Sequence, residues 1–107
     1  GQFRYGQVAK SLSPRAEALG LALVALTGVA SDARRAAMIA AAPQVPFGAP
    51  TFWPYIAGVP FYHNATIWPF VTAFGTWAAA DAGNTAVVEH GLATMLRGTA
   101  LFLTNKE

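Results

Sequence analysis

Residues 11–31 read "SLSPRAEALGLALVALTGVAS", and this stretch decides the fold class. Ser13 suits an N-cap, and Pro14 suits the first helical position, where a missing N–H removes no intrahelical bond. Leu19, Leu23, Leu26 and Ala30 recur at helical spacing, which predicts a helix over about residues 14–28. Leu21 and Val24 lie off that stripe. A helix that is apolar on nearly every side has to be covered on nearly every side, so this is an inner helix. Gly28 supplies its stop.

The segment "SDARRAAMIAAA" follows, with Ser31 as a cap and Asp32 in the first turn, where a negative charge suits the helix dipole. Arg34 and Arg35 mark a wet face, and Met38 and Ile39 a dry one. A shorter, outer helix is expected over about residues 32–42. The next 23 residues, "PQVPFGAPTFWPYIAGVPFYHNA", hold five of the chain's seven prolines and break the helical pattern. Long loops in compact domains are uncommon and usually functional or disordered. This one carries Phe47, Phe52, Trp53, Tyr55, Phe61 and Tyr62, too aromatic to stay solvated, so an ordered loop over residues 43–66 is expected. A third helix is predicted over about 67–82, with Ile67, Phe70, Val71, Phe74 and Trp77 as its stripe and Trp77 in the core. A fourth, peripheral helix is predicted over about 85–103, with Val88, Leu92, Met95 and Phe102 on its dry side. The fold class is therefore all-α, two consecutive antiparallel hairpins of inner and outer helices.

Charge is scarce. Charged residues make up 11% of the 107, and none occurs from Ala36 to Ala80. Typical soluble domains carry roughly a quarter. A small domain exposes much of itself, and here too little charge is present to cover that surface. Burial against a second copy or the remainder of a longer polypeptide is expected. A membrane is excluded as partner, because the best apolar runs, Ala18–Ala30 and Ile67–Ala80, fall short of the ~20 residues a spanning helix needs. The net charge of +2 is too thinly spread for nucleic acid. With no cysteine and two distant histidines, neither a disulfide nor a metal site is expected, and no cofactor is implied.

The connectivity brings both inner helices to start on one face. That face is expected to collect Arg15, Glu17, the aromatic loop, Tyr62, His63, Asn64 and Trp68, together with the tail residues Asn105, Lys106 and Glu107. Aromatic rings beside amides, an imidazole and isolated carboxylates suit carbohydrate. A sugar's C–H face packs on Trp or Tyr while its hydroxyls need directional partners.

The stretches "SLSPRAEALG", "PFGAPTFWP", "YHNATIWPFVTAF", "DAGN" and "LFLTNKE" resemble, in order, those of bacterial six-hairpin glycosidases. These are glycoside hydrolases built as an (α/α)6 toroid, six inner helices ringed by six outer ones. The resemblance implies that this chain is about two of the six hairpins, a fragment of a larger catalytic domain acting on an oligosaccharide or glycoside. It also implies a periplasmic or extracellular bacterial setting. Arg15, Trp53, Tyr62, His63, Asn64, Trp68 and Lys106 would contact the sugar, and Glu17 and Glu107 are the catalytic candidates. Glycoside cleavage uses two carboxyl groups, one protonating the leaving oxygen and the other activating water or attacking the sugar. Glu17 has a plainer reading as a first-turn acid or a partner of Arg15. Each aromatic ring could equally be packed under the loop, and His90 on the outer helix is expected to be inert. Asn64-Ala65-Thr66 matches a glycosylation acceptor only formally, since it would lie in the pocket. The rival from another class is a non-catalytic helical module that buries its apolar faces in an oligomer.

Overall fold

The computed structural model describes residues 7–8, 11–12 and 14–101. Four helices dominate: α1 (Ala18–Leu26), α2 (Asp32–Ala41), α3 (Pro69–Asp81) and α4 (Thr85–Leu101). Two short antiparallel pairs accompany them. One joins β1 (Gln7–Val8) to β2 (Ser11–Leu12), and the other joins β3 (Ala16–Glu17) to β4 (Phe52–Trp53). The chain is thus mainly helical rather than wholly so, and two helical hairpins do not by themselves make a toroid.

The strands account for the main departure from the predicted boundaries. α1 starts at Ala18 and not at Pro14, because Ala16 and Glu17 pair with Trp53 and Phe52 and hold the backbone extended. The cap of α1 is then Glu17, whose carboxylate accepts the N–H groups of Leu19 and Gly20. Ser13, the expected cap, lies outside the described residues. α3 opens with Pro69 after an extended Trp68, as a proline in the first turn allows. At α2 the capping position is Ser31, without a side-chain bond, while Asn84 Oδ1 accepts Val87 N–H at 3.2 Å at the start of α4. The hairpin joints contain Gly28 and Gly83 at φ 73° and 71°, the left-handed conformation that other residues adopt only at a cost.

α1 lies against α3, and α3 against α4. The shared core is built from four alanines, Ala22 and Ala25 of α1 and Ala78 and Ala79 of α3, with the larger Ile39 from α2. Leu26, Phe74, Val87 and Val88 pack partly buried around it. Alanine faces let helix backbones approach closely but remove little apolar area from water per residue. Much of the larger apolar surface stays outside. Trp77, expected in the core, is 61% exposed, and Leu96 on α4 is 72% exposed. The reason is rotational. α3 is apolar all round, and the side turned to its neighbours carries Val71, Thr72, Thr76, Ala78 and Ala79, leaving Phe70 and Trp77 outward. Arg35 of α2 adds a 2.6 Å ion pair with Asp81 at the end of α3 and a second, at 3.2 Å, with Asp32.

Candidate functional site

The starts of α1 and α3 are sewn together by the backbone of the intervening loop. Ala18 N–H donates to Thr51 O at 2.9 Å, and Thr51 N–H donates to Thr66 O at 2.8 Å. Pro50 and Ile67 form an isolated antiparallel bridge beside them. Residues 16–18, 50–53 and 66–67 therefore lie side by side like three strands. Neighbouring strands are ~4.8 Å apart, so the two helix starts are about 10 Å from each other. The core cluster links the later turns of both helices, so α1 and α3 run in the same direction.

The loop over residues 43–66 is ordered, but not by burying its aromatic rings as expected: Phe47, Trp53, Tyr55, Phe61 and Tyr62 stay exposed, and three anchors hold it instead. In the first, Val45 and Gly48 exchange backbone hydrogen bonds at 2.9 and 3.0 Å around Pro46 and Phe47. His90 Nε2 lies 3.0 Å from Val45 O, Arg97 donates to Pro46 O, and the Arg97 guanidinium sits 5.8 Å from the Phe47 ring centroid. His90 is thus a loop anchor on α4, not an inert surface residue. The second anchor is the ladder through Thr51, reinforced by Ala49 N–H donating to Thr72 Oγ1 at 3.2 Å. The third is Asn64. Its Oδ1 accepts Ile56 N–H at 2.6 Å, and its Nδ2 donates to Ile56 O and Val59 O, both at 2.9 Å. Ala65, with φ at 60°, turns the chain from this bracket back to the ladder.

Asn64 is consequently displaced from the sugar-contact role expected of it. It is 3% exposed, and both of its donor hydrogens are spent on loop carbonyls. The same burial removes it as a glycosylation acceptor in the folded chain. Its neighbours point the other way. Tyr62 is 64% exposed, and His63 is exposed beside it. The His63 ring stacks on Trp68 with centroids 5.1 Å apart and an angle of 10° between planes. Tyr62 meets both rings edge-on, at 4.6 Å from His63 and 5.2 Å from Trp68. Trp68 is half-buried. Its Nε1–H is shared between Tyr62 O at 2.9 Å and Thr66 Oγ1 at 3.1 Å, and Phe70 closes on it edge-on at 5.9 Å. Trp53, Tyr55 and Phe61 are exposed on the same loop.

Arg15 and Glu17 flank Ala16 and so share one side of the extended segment that runs past Trp53 and Phe52. Glu17 spends an oxygen on each of two backbone N–H groups, which commits its carboxylate to starting α1. The geometry therefore accounts for Glu17 as a cap without any catalytic duty. Lys106 and Glu107 lie outside the described residues.

Among the described residues, no three His, Asp or Glu side chains gather as metal ligands, and no helix is long and apolar enough to cross a membrane. A small apolar hollow between the helices, lined by Leu21, Met38, Ile39, Val71 and Val87, offers almost no polar groups to orient a ligand. What the tip of α1 and α3 can do chemically is stack on a flat apolar face and hydrogen-bond through an imidazole and a phenol. The anchors that build this tip, Thr51, Thr66, Thr72, His90 and Arg97, were not evident from sequence. A hydroxyl or cation that caps a loop carbonyl leaves no periodic signal. No family model matches the chain, and neither does any curated protein or solved structure.

Proposed function

We propose that this chain is part of a glycoside hydrolase and that the tip shared by α1 and α3 is a sugar-binding rim. One observation carries the reading: Tyr62 and His63 stand exposed on a rigid Trp68 base, immediately beside the start of α1. Rings left open to water at a fixed position favour a ligand with an apolar face, and the adjoining imidazole suits its hydroxyls. The ligand class is a glycoside or oligosaccharide. In such an enzyme the acid and base carboxyls act on the glycosidic oxygen and on water or the sugar carbon. This segment supplies subsite contacts through Trp53, Tyr62 and His63, with Arg15 alongside. Glu17 positions the rim by capping α1, and Glu107 is the remaining carboxyl candidate.

Titration of the chain with cellohexaose, maltohexaose and xylohexaose, followed by backbone amide NMR, tests this reading. Saturable shifts confined to residues 53–68 for at least one sugar support it. Flat titrations with all three, on a folded sample, reject it.

A second reading is favoured by the outward Trp77 and Leu96: a non-catalytic helical module that buries such exposed apolar side chains in an oligomer. Light scattering decides for it if the chain forms a discrete oligomer that Trp77→Ser dissociates and that binds none of the three sugars.

A further inference from the structure

Trp68 is an obvious stacking platform by residue type, yet its surroundings give it other work. One face of the indole carries the His63 ring, parallel to within 10°. Tyr62 and Phe70 approach the same indole edge-on, with planes at 87° and 89° to it. Its Nε1–H is tied to the carbonyl of Tyr62, the residue that precedes His63, and to Thr66 Oγ1, which itself donates to that carbonyl. The indole is therefore pinned to the backbone that carries His63 as well as to the ring of His63. Trp68 is also the cap residue of α3 and abuts Ile67, which bridges to Pro50. Its position is set by the ladder, a rigid element, and not by the loop alone.

His63 is the opposite case. Among the described residues its partners are two rings, Trp68 and Tyr62. A stacked imidazole keeps both nitrogens at its rim, clear of the supporting face. An exposed side chain held by nothing else would sample several rotamers, and ordering it on binding costs affinity. A ring stacked on a parallel indole, with a perpendicular phenol against the side of both, has already lost much of that freedom.

We propose that Trp68 is a positioning residue for His63 and does not itself touch the ligand. It fixes the plane of the imidazole so that its nitrogens meet sugar hydroxyls without reordering. This inference rests on the sugar-rim reading for its ligand, but not for its geometry.

The test combines His63→Ala, Trp68→Leu, Trp68→Phe and the double variant His63→Ala/Trp68→Leu. Two quantities are read: the ring-proton shifts of His63, and the affinity for whichever of the three hexaoses binds best. In the parent chain the indole ring current moves the His63 ring protons upfield. Trp68→Leu abolishes that shift and weakens sugar binding about tenfold, the size of one lost hydrogen bond. Trp68→Phe, which keeps a stacking face, retains part of both. In the His63→Ala background Trp68→Leu costs no further affinity, because it acts only through the missing imidazole. Additive losses in the double variant overturn the proposal and make Trp68 a direct contact. So do His63 shifts that are indifferent to Trp68→Leu in a variant that remains folded. If Trp68→Leu does not fold, Trp68→Phe in the presence and absence of His63 gives the same comparison. If no hexaose binds the parent chain, the functional reading fails. The proposal then fails as a statement about ligand, while the ring shifts still report whether Trp68 sets the imidazole plane.

Discussion

Thr51 and Thr66 are joined twice at one carbonyl: Thr51 N–H donates to Thr66 O at 2.8 Å, and Thr51 Oγ1 donates to the same oxygen at 2.9 Å. Through its own carbonyl Thr51 also accepts Ala18 N–H at 2.9 Å. This residue, 5% exposed, is the pivot between the two helix starts. Thr51→Val keeps the shape and the ladder but deletes the hydroxyl bond. A net hydrogen bond is worth about 1 kcal/mol, so a loss of that order is expected in urea unfolding. The slope of the transition should not change. A variant as stable as the parent would mean that the ladder alone holds the tips together.

Asn64 predicts a larger effect. Its amide satisfies the N–H of Ile56 and the carbonyls of Ile56 and Val59 in a buried setting. Asn64→Ala leaves these groups without their partner, at roughly 2–3 kcal/mol if the loop stays closed. Asn64→Asp is expected to be at least as harmful, because a carboxylate cannot donate to two carbonyls. Hydrogen exchange at the Ile56 amide is the direct readout. Accelerated exchange there, with the amides of the core helices unchanged, places the damage in the loop. Unchanged protection at Ile56 would sink the bracket.

The contrast between Asn64 and its neighbours also marks how far the sequence could be read. Helix order, the two glycine joints and the ordered aromatic loop followed from periodicity, turn chemistry and composition. The adjacency of the α1 and α3 starts followed from connectivity. The start of α1 did not. Its proline at Pro14 and serine at Ser13 look like a helix opening, but pairing with Phe52 and Trp53 overrode that local preference three residues on. Tertiary strand pairing of this kind has no trace in a short window of sequence. Nor could sequence decide that Asn64 turns inward while Tyr62 and His63 turn outward. The bonds of Asn64 to the backbone of Ile56 and Val59 hold it inward, and such contacts across a loop leave no pattern in the sequence. Trp77 was misplaced for a related reason, since a helix apolar on every side does not say which side its neighbours take.

Two glycines of α4 give opposite predictions. A Cβ on Gly91 would overlap the hydroxyl oxygen of Thr76 on α3 and crowd its Cβ at 3.1 Å and Cγ2 at 3.2 Å, whereas a Cβ on Gly98 meets nothing within 4 Å. Alanine is a better helix former than glycine by about 1 kcal/mol. Gly98→Ala should therefore stabilise the chain by somewhat less than that. Gly91→Ala gains the same propensity but overpacks the helix contact, which costs ~1–3 kcal/mol, and should come out destabilised. Thr76→Ala in the same chain removes the hydroxyl and methyl but keeps the Cβ, and should recover part of the loss. Thermal unfolding of the parent and the three variants checks the set. A stabilised Gly91→Ala would show that α3 and α4 are packed less closely than described.

Glu17 and His63 separate structure from recognition in the rim. Glu17 accepts from two backbone N–H groups at the start of α1, and His63 is exposed, with the rings of Tyr62 and Trp68 as its partners among the described residues. Removing a capping acceptor typically costs ~1 kcal/mol of stability. Glu17→Ala should therefore lower the melting temperature measurably, and Glu17→Gln, which keeps one side-chain oxygen as an acceptor, should lower it less. Binding by the folded fraction should be affected little by either. His63→Ala should do the reverse. It leaves the melting temperature close to the parent's and, on the proposed sugar-rim reading, impairs sugar binding. The pair is decided by measuring Tm, sugar binding and turnover on the same preparations. Loss of turnover out of proportion to the small loss of Tm in Glu17→Gln would return Glu17 to the catalytic role, since the isosteric amide keeps one capping oxygen but cannot exchange a proton as a carboxyl does. A large thermal loss with normal sugar binding in His63→Ala would make the imidazole a packing element and remove it from the rim.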